Sequence, residues 1–227
     1  MRLILFDIDG TLMTTDGAGT RALNRALQEV FGLTEAMRDI RPDGKTDSQI
    51  VREALSRNGG LDMPQAEALR SFFRVYLRHF DDELVGHCGL TVFWQAYHLI
   101  LRLRDGGRVR TGIATGNIRP CAELKLRSAG LHSFFPFGGF GCDAEDRHQM
   151  VRAAVRRGEE LYGIRAQSVI VIGDTPNDIE HGRKAGARTI AVATGNYSRV
   201  ELQETGADLA VDSLQPTPDL LSFIEAA

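Results

Sequence analysis

Ile4-Leu5-Phe6-Asp7-Ile8-Asp9-Gly10-Thr11-Leu12 is the stretch that decides how this chain folds. The apolar run from Leu3 to Phe6 reads as a strand, and it delivers two aspartates, one residue apart, onto a Gly-Thr turn. A strand that stops at Asp7 leaves its sheet at the carboxyl edge, where open α/β sheets bind ligands. Two carboxylates at that edge suit a nucleophile, a general acid or a divalent metal. The plainer alternative is a strand that ends in a polar turn.

Beyond Asp16-Gly17 the pattern turns helical. Ala22, Leu23, Ala26, Leu27, Val30 and Phe31 recur at helical spacing. After the loop Arg41-Pro42-Asp43-Gly44, Thr46 or Asp47 caps a helix that stops at Gly59-Gly60. Another helix starts near Asp62 and Pro64 and carries Leu69, Phe72, Phe73, Tyr76, Leu77 and Phe80. Residues 15–85 thus read as helices with no strand. From Leu90 onward helices and short strands alternate, with strands at Arg110–Thr115, Phe137–Phe140, Ser168–Ile172, Thr189–Val192 and Asp208–Val211. That alternation implies a parallel sheet covered on both faces. The expected fold is α/β: a doubly wound parallel core, residues 1–14 and 86–227, with a helical insertion at 15–85.

Composition narrows the function. The chain has 227 residues, 43% hydrophobic and 25% charged, with a net charge of −3. These values are ordinary for a globular protein and favour neither nucleic acid nor an anionic membrane as partner. No apolar run approaches the ~18 residues of a membrane span, and no leader pattern opens the chain. Cys88, Cys121 and Cys142 lack CxxC spacing, so the expectation is free thiols, no zinc and a reducing cytoplasm. The histidines His79, His87, His98, His132, His148 and His181 form no ligand spacing and read as surface or packing residues.

Two further strand ends carry chemistry. Val169-Ile170-Val171-Ile172-Gly173-Asp174 is an apolar strand ending at an aspartate, and Thr175-Pro176 opens a helix with Asp178 in its first turn. Alone, Asp178 is an ordinary residue for a helix N-terminus. Thr111–Thr115 ends in Thr115-Gly116-Asn117 before another helix, a good anion site or simply a capped loop. Taken together, the strand ends present Asp7, Asp9, Asp174 and Asp178 beside a hydroxyl and glycine amides. Clustered carboxylates repel one another without a cation, so the arrangement predicts Mg²⁺, which then permits attack on an anionic phosphate.

With these residues in view, the chain resembles the phosphatase branch of the haloacid dehalogenase superfamily. Asp7-Ile8-Asp9-Gly10-Thr11 matches the family's DxDGT motif, Thr115-Gly116-Asn117 its second motif, and Gly173–Asp178 its GDxxxD motif. The inserted helices match its helical cap. The resemblance implies that Asp7 is the nucleophile that becomes an aspartyl phosphate and that Asp9 is the general acid/base. It also implies that Mg²⁺ is held by Asp7, the Asp9 carbonyl, Asp174 and Asp178. Thr115 and Gly116, with Ile8 and Asn117, would surround the phosphoryl group. The second aspartate of the motif, Asp9, points to phosphate esters rather than dehalogenation.

Two departures from the family pattern bear on the site. The usual third-motif lysine is missing from Cys142–Arg147. Arg147 is its natural substitute, able to pair with both nucleophile and phosphate, or else a surface arginine beside Glu145 and Asp146. Lys125 is the alternative, about ten residues into a helix expected to run away from the site. The return segment Gly86–Thr91 also lacks the family's proline-glycine pair.

In the cap, Lys45 would bind an anionic group on the leaving side of the substrate, or belong to a solvated turn with Asp47 as helix cap. The expected activity is therefore Mg²⁺-dependent hydrolysis of a small phosphorylated metabolite by a monomer or homodimer, similar to phosphoglycolate phosphatases. The alternatives are a mutase of the β-phosphoglucomutase type and a catalytically silent binding protein.

Overall fold

The computed structural model describes residues 1–86, 89–107, 109–144 and 146–226. His87, Cys88 and Glu145, which entered the sequence reading, lie outside the described residues.

Six strands form one parallel sheet: β1 (Arg2–Phe6), β4 (Val109–Thr115), β5 (Gly138–Phe140), β6 (Ser168–Gly173), β7 (Arg188–Val192) and β8 (Leu209–Val211). Their order is β5-β4-β1-β6-β7-β8. β1 lies at the centre, with Phe6 opposite Ile113 of β4 on one side and Ile172 of β6 on the other. The connections run one way from β1 and then the other, so a ligand crevice opens at the carboxyl ends of these central strands.

Helices cover both faces, and the alternation of side chains along β1 shows why its run is continuously apolar. Ile4 and Phe6 pack with α4 (Trp94–Gly106), α5 (Arg119–Ser128) and α9 (Pro218–Ala226). Leu3 and Leu5 face the other way, onto Met150, Val151 and Ala154 of α6 (Arg147–Tyr162). Ile179 of α7 (Pro176–Lys184) and Leu202 of α8 (Arg199–Glu204) pack beyond β7 and β8. The α8 helix was not foreseen, although Ser198 and Glu201 spell its capping box.

Three helices interrupt the sheet: α1 (Ala18–Phe31), α2 (Asp47–Gly59) and α3 (Ala66–Gly86). They share an apolar cluster of their own, with Leu27, Leu55, Phe72 and Phe80 fully buried, and Ile118 and Cys121 at the start of α5 join it. Thr46, not Asp47, caps α2, in a reciprocal box with Gln49. The α3 helix begins later than expected, at Ala66. Two short strands were also missed. β2 (Met13–Thr14) and β3 (Thr91–Val92) pair antiparallel where the chain leaves and rejoins the core. Among the described residues Cys121 and Cys142 are free thiols, and no helix is long and apolar enough to cross a membrane.

Candidate active site

Asp7 follows β1, Thr115 ends β4 and Asp174 follows β6, so the sheet itself brings the three sequence motifs to one edge. Asp7 is held there by its own amide, which donates to the Ile172 carbonyl at 2.9 Å. Gly10 turns the chain with φ +74°, and a Cβ at that position would lie 2.2 Å from Asp174 Oδ2. The glycine is therefore required twice, for its left-handed backbone and for the close approach of a carboxylate. Thr11 Oγ1 donates to Asp174 Oδ1 at 3.1 Å.

Oxygens of Asp7, Asp174 and Asp178 lie within 4.8 Å of one another, and all three residues are buried. Burial, with repulsion from Asp178, pushes the Asp7 carboxyl up to about 7, although Arg147 opposes the shift. Asp174 is raised well above the usual carboxylate range, first by burial and then by Asp178 and Asp7. Asp178 is fully engaged. Its Oδ1 accepts from Arg147 Nη2, and its Oδ2 accepts from the Thr175 amide at 3.1 Å and the Thr175 hydroxyl at 2.7 Å. Arg147 thus reaches the site from the start of α6 but pairs with Asp178, not with Asp7 as the sequence reading anticipated. The reason is position: α6 packs against α7, whose first turn carries Asp178.

Lys125, the alternative to Arg147, reaches the site despite its place well along α5. Its Nζ donates to Asp9 Oδ2 and to Asn117 Oδ1, both at 2.5 Å. The helix does run away from the site, but helical side chains lean back toward the N-terminus, and a lysine is long enough to cover the gap. Burial alone would lower its pKa; the neighbouring Asp9 carboxylate more than offsets this, and the group is held above the ordinary lysine value. Asn117 completes the knot by donating from Nδ2 to Asp9 Oδ2 at 2.9 Å and to Thr115 Oγ1 at 3.2 Å. Thr115 is fully buried and also hydrogen-bonds Asp7. The Ile8 side chain is packed in the core, so only its backbone is available to a ligand.

The helical insertion closes over this edge. The Asp47 amide donates to the Gly116 carbonyl at 2.9 Å, and the Ile118 amide donates to Asp47 Oδ2 at 2.7 Å. Asn177 Nδ2 donates to the Gly44 carbonyl at 2.8 Å, and Asn196 Nδ2 to Asp43 Oδ1 at 2.9 Å. A Cβ on Gly116 would lie 2.2 Å from the Lys45 carbonyl oxygen, so the close fit needs glycine. Lys45 is not free for an anion: its Nζ lies 2.5 Å from Glu53 Oε2.

Asp47 was read only as a helix cap, yet it is buried, lines the cavity and is pushed up to about 6 by burial. The β7 loop was missed as well. Thr194 Oγ1 donates to the Gly10 carbonyl at 2.5 Å, and Gly195 abuts Asp174. The signal was available, because Ala193-Thr194-Gly195-Asn196 repeats Ala114-Thr115-Gly116-Asn117 letter for letter.

Asp7, Asp9, Asp47, Asn117, Lys125 and Asp174 line one cavity of about 380 Å³ between insertion and sheet. This Rossmann-like parallel sheet places its carboxylate-lined cavity at the ends of its central strands, where open α/β sheets bind ligands. The family model for haloacid dehalogenase-like hydrolases matches residues 1–186, and the chain belongs to that family. The pyrophosphatase PpaX of Bacillus mycoides (strain KBAB4) is 23% identical over 221 residues, covering 97% of each chain. Among solved structures, a hydrolase from Pseudomonas syringae superposes with a TM-score of 0.71 at 22% identity, over 99% of this chain and 98% of that one. The β-phosphoglucomutase of Pyrococcus sp. strain ST 04 superposes at 0.62 with 20% identity, over 100% and 99%. These structural likenesses show the fold.

Proposed function

We propose that the protein is a Mg²⁺-dependent phosphatase of small phosphorylated metabolites. In this reading residues 15–85 are its cap, and residues 1–14 with 86–227 are its catalytic core. The observation that carries the proposal is the triple of mutually close, buried carboxylates beside the Asp9–Lys125 pair, with Asp7, Asp9, Asp174, Lys125 and Gly116 lining one cavity. Oxygen donors alone suit Mg²⁺, and Asp7 and Asp174 are raised by burial and then by their neighbouring carboxylates, a repulsion that a bound cation would offset. Asp7 and Asp174 would hold the ion with the Asp9 carbonyl. Asp178, whose oxygens serve Arg147 and Thr175, would support them from behind. When bound, the ion would offset phosphate charge as a Lewis acid.

The side chains divide the remaining work. An Asp7 carboxylate oxygen attacks phosphorus, the phosphorus–oxygen bond to the leaving group breaks, and Asp9 gives its proton to the departing oxygen. Asp9 then takes a proton from the water that attacks the aspartyl phosphate, releasing inorganic phosphate and restoring Asp7. Lys125 and Asn117 position Asp9. The Thr115 hydroxyl and the Gly116 amide, at a helix start, suit the phosphoryl oxygens.

The test is hydrolysis of p-nitrophenyl phosphate with Mg²⁺. Asp7→Asn should abolish it, and equal turnover by variant and wild type would sink the assignment. Pyrophosphate cleavage is a second reading, supported by the names of the PpaX relatives. Pyrophosphate belongs in the same assay. A mutase must hold a second phosphate in the cap, and Lys45, engaged by Glu53, offers it little support.

A further inference from the structure

Three cations line the cavity among the described residues, and each is already engaged. Lys125 is held by Asp9 and Asn117, and Arg147 by Asp178. Lys45, on the loop of the cap nearest the sheet, is held by Glu53, which also accepts from Arg57 Nη2 at 2.7 Å. Arg41, the other basic residue of that loop, is exposed and does not line the cavity. Asp47, by contrast, adds a buried carboxylate to the lining, and its Oδ2 accepts from the uncharged Ile118 amide at 2.7 Å. The rest of the cap side adds the Asp43 carboxylate, which accepts from Asn196, and otherwise hydroxyl and hydrocarbon from Thr15, Thr20, Leu23, Ile50 and Tyr76.

We infer that Glu53 is a specificity determinant. By neutralising Lys45 it leaves the leaving-group pouch without an available positive charge, so the substrates are phosphomonoesters of small, uncharged, hydroxyl-bearing compounds. This inference rests on the hydrolase reading above and narrows its substrate class. A carboxylate or second phosphate on the leaving group would enter beside Asp47 and find no uncommitted cation, which costs affinity. A neutral polyol donates hydroxyl hydrogens to the same carboxylate and packs its carbons on Leu23 and Ile50. The size agrees: about 380 Å³ takes a phosphoryl group, its ion and a small polyol.

The experiment compares kcat/KM with Mg²⁺ for glycerol 2-phosphate and ribose 5-phosphate against phosphoglycolate and pyrophosphate. Wild type should favour the uncharged leaving groups by about tenfold or more, the scale of one partly screened charge. Glu53→Gln releases Lys45 and should raise the anionic-to-neutral ratio by about tenfold. Adding Lys45→Met to Glu53→Gln should return the ratio toward wild type, which separates the charge effect from any loosening of α2. Wild-type preference for the anionic pair, or a ratio unmoved by Glu53→Gln, overturns the inference and leaves the hydrolase standing. Absence of turnover on every substrate overturns both.

Discussion

Lys125 Nζ stands 2.5 Å from Asp9 Oδ2, with the lysine side chain only 5% exposed and the aspartate side chain 42% exposed. One partner is buried in the protein and the other faces the cavity, the arrangement that the acid/base role proposed for Asp9 requires. A buried ammonium also needs its partners, because an unpaired one is costly. Lys125→Met keeps much of the aliphatic stem but removes the ammonium that lies over the Phe80 ring and orients Asp9. Its kcat should fall about 10²-fold with little change in KM, the loss typical of a displaced acid/base. Steady-state kinetics on p-nitrophenyl phosphate checks this, and a change confined to KM would contradict it.

Asp47 makes the stability of the protein depend on pH. Its carboxyl is raised to about 6 from an ordinary 3.8 by burial. Between those values the folded protein keeps a proton that the unfolded chain has lost, so stability falls as pH rises through this interval. The loss from this group is on the order of 3 kcal/mol at most. Asp47→Asn still accepts from Ile118 but does not titrate. Urea melts at pH 4, 5, 6 and 7 should show a flatter profile for the variant.

The carboxylates of Asp7 and Asp174 titrate in the same direction, because both are raised. Metal-free protein should therefore melt at lower temperature at pH 8 than at pH 5.5. Mg²⁺ at a hundredfold excess over its Kd should restore about 5–10 °C at pH 8 and less at pH 5.5, where protons compete for the same oxygens. Thermal melts in EDTA and in Mg²⁺ measure both effects. Identical melts at pH 8 would remove the ion from this site.

A methyl group at Gly116 has no room, since its Cβ would meet the Lys45 carbonyl oxygen at 2.2 Å. Gly116→Ala should therefore push the 42–47 loop off the sheet while the sheet stays folded. We expect kcat/KM to drop about 10²-fold and cleavage by a nonspecific protease to appear within residues 42–47. Unaltered proteolysis would show that the loop adjusts in place.

How much of this could be read from the sequence follows from which forces are local. Apolar runs ending in aspartate revealed β1 and β6, because a strand buried on both faces admits few polar residues and the chain must turn where they begin. Thr175 and Asp178 likewise announced their helix through adjacent capping chemistry. Asp47 could not be read as more than a cap, since its role comes from the Ile118 amide, which reaches it across 71 residues of sequence. Lys125 was misjudged because distance along a helix was weighed without the lean and length of the side chain. The strands β2 and β3, two residues each, are too short to carry a period.

The order of synthesis gives the central place of β1 another meaning. The strand that ends at Asp7 is made before both of its neighbours, for Arg2 pairs with Val109 and with Ser168. Pairings so distant in sequence form slowly, and until they form the run Leu3–Phe6 is an unprotected sticky segment. A nascent chain that has not reached Gly173 has neither the second edge of that strand nor Asp174. Catalytic competence therefore arrives late and all at once, and an unfinished copy of this protein should be a client for chaperones before it is an enzyme.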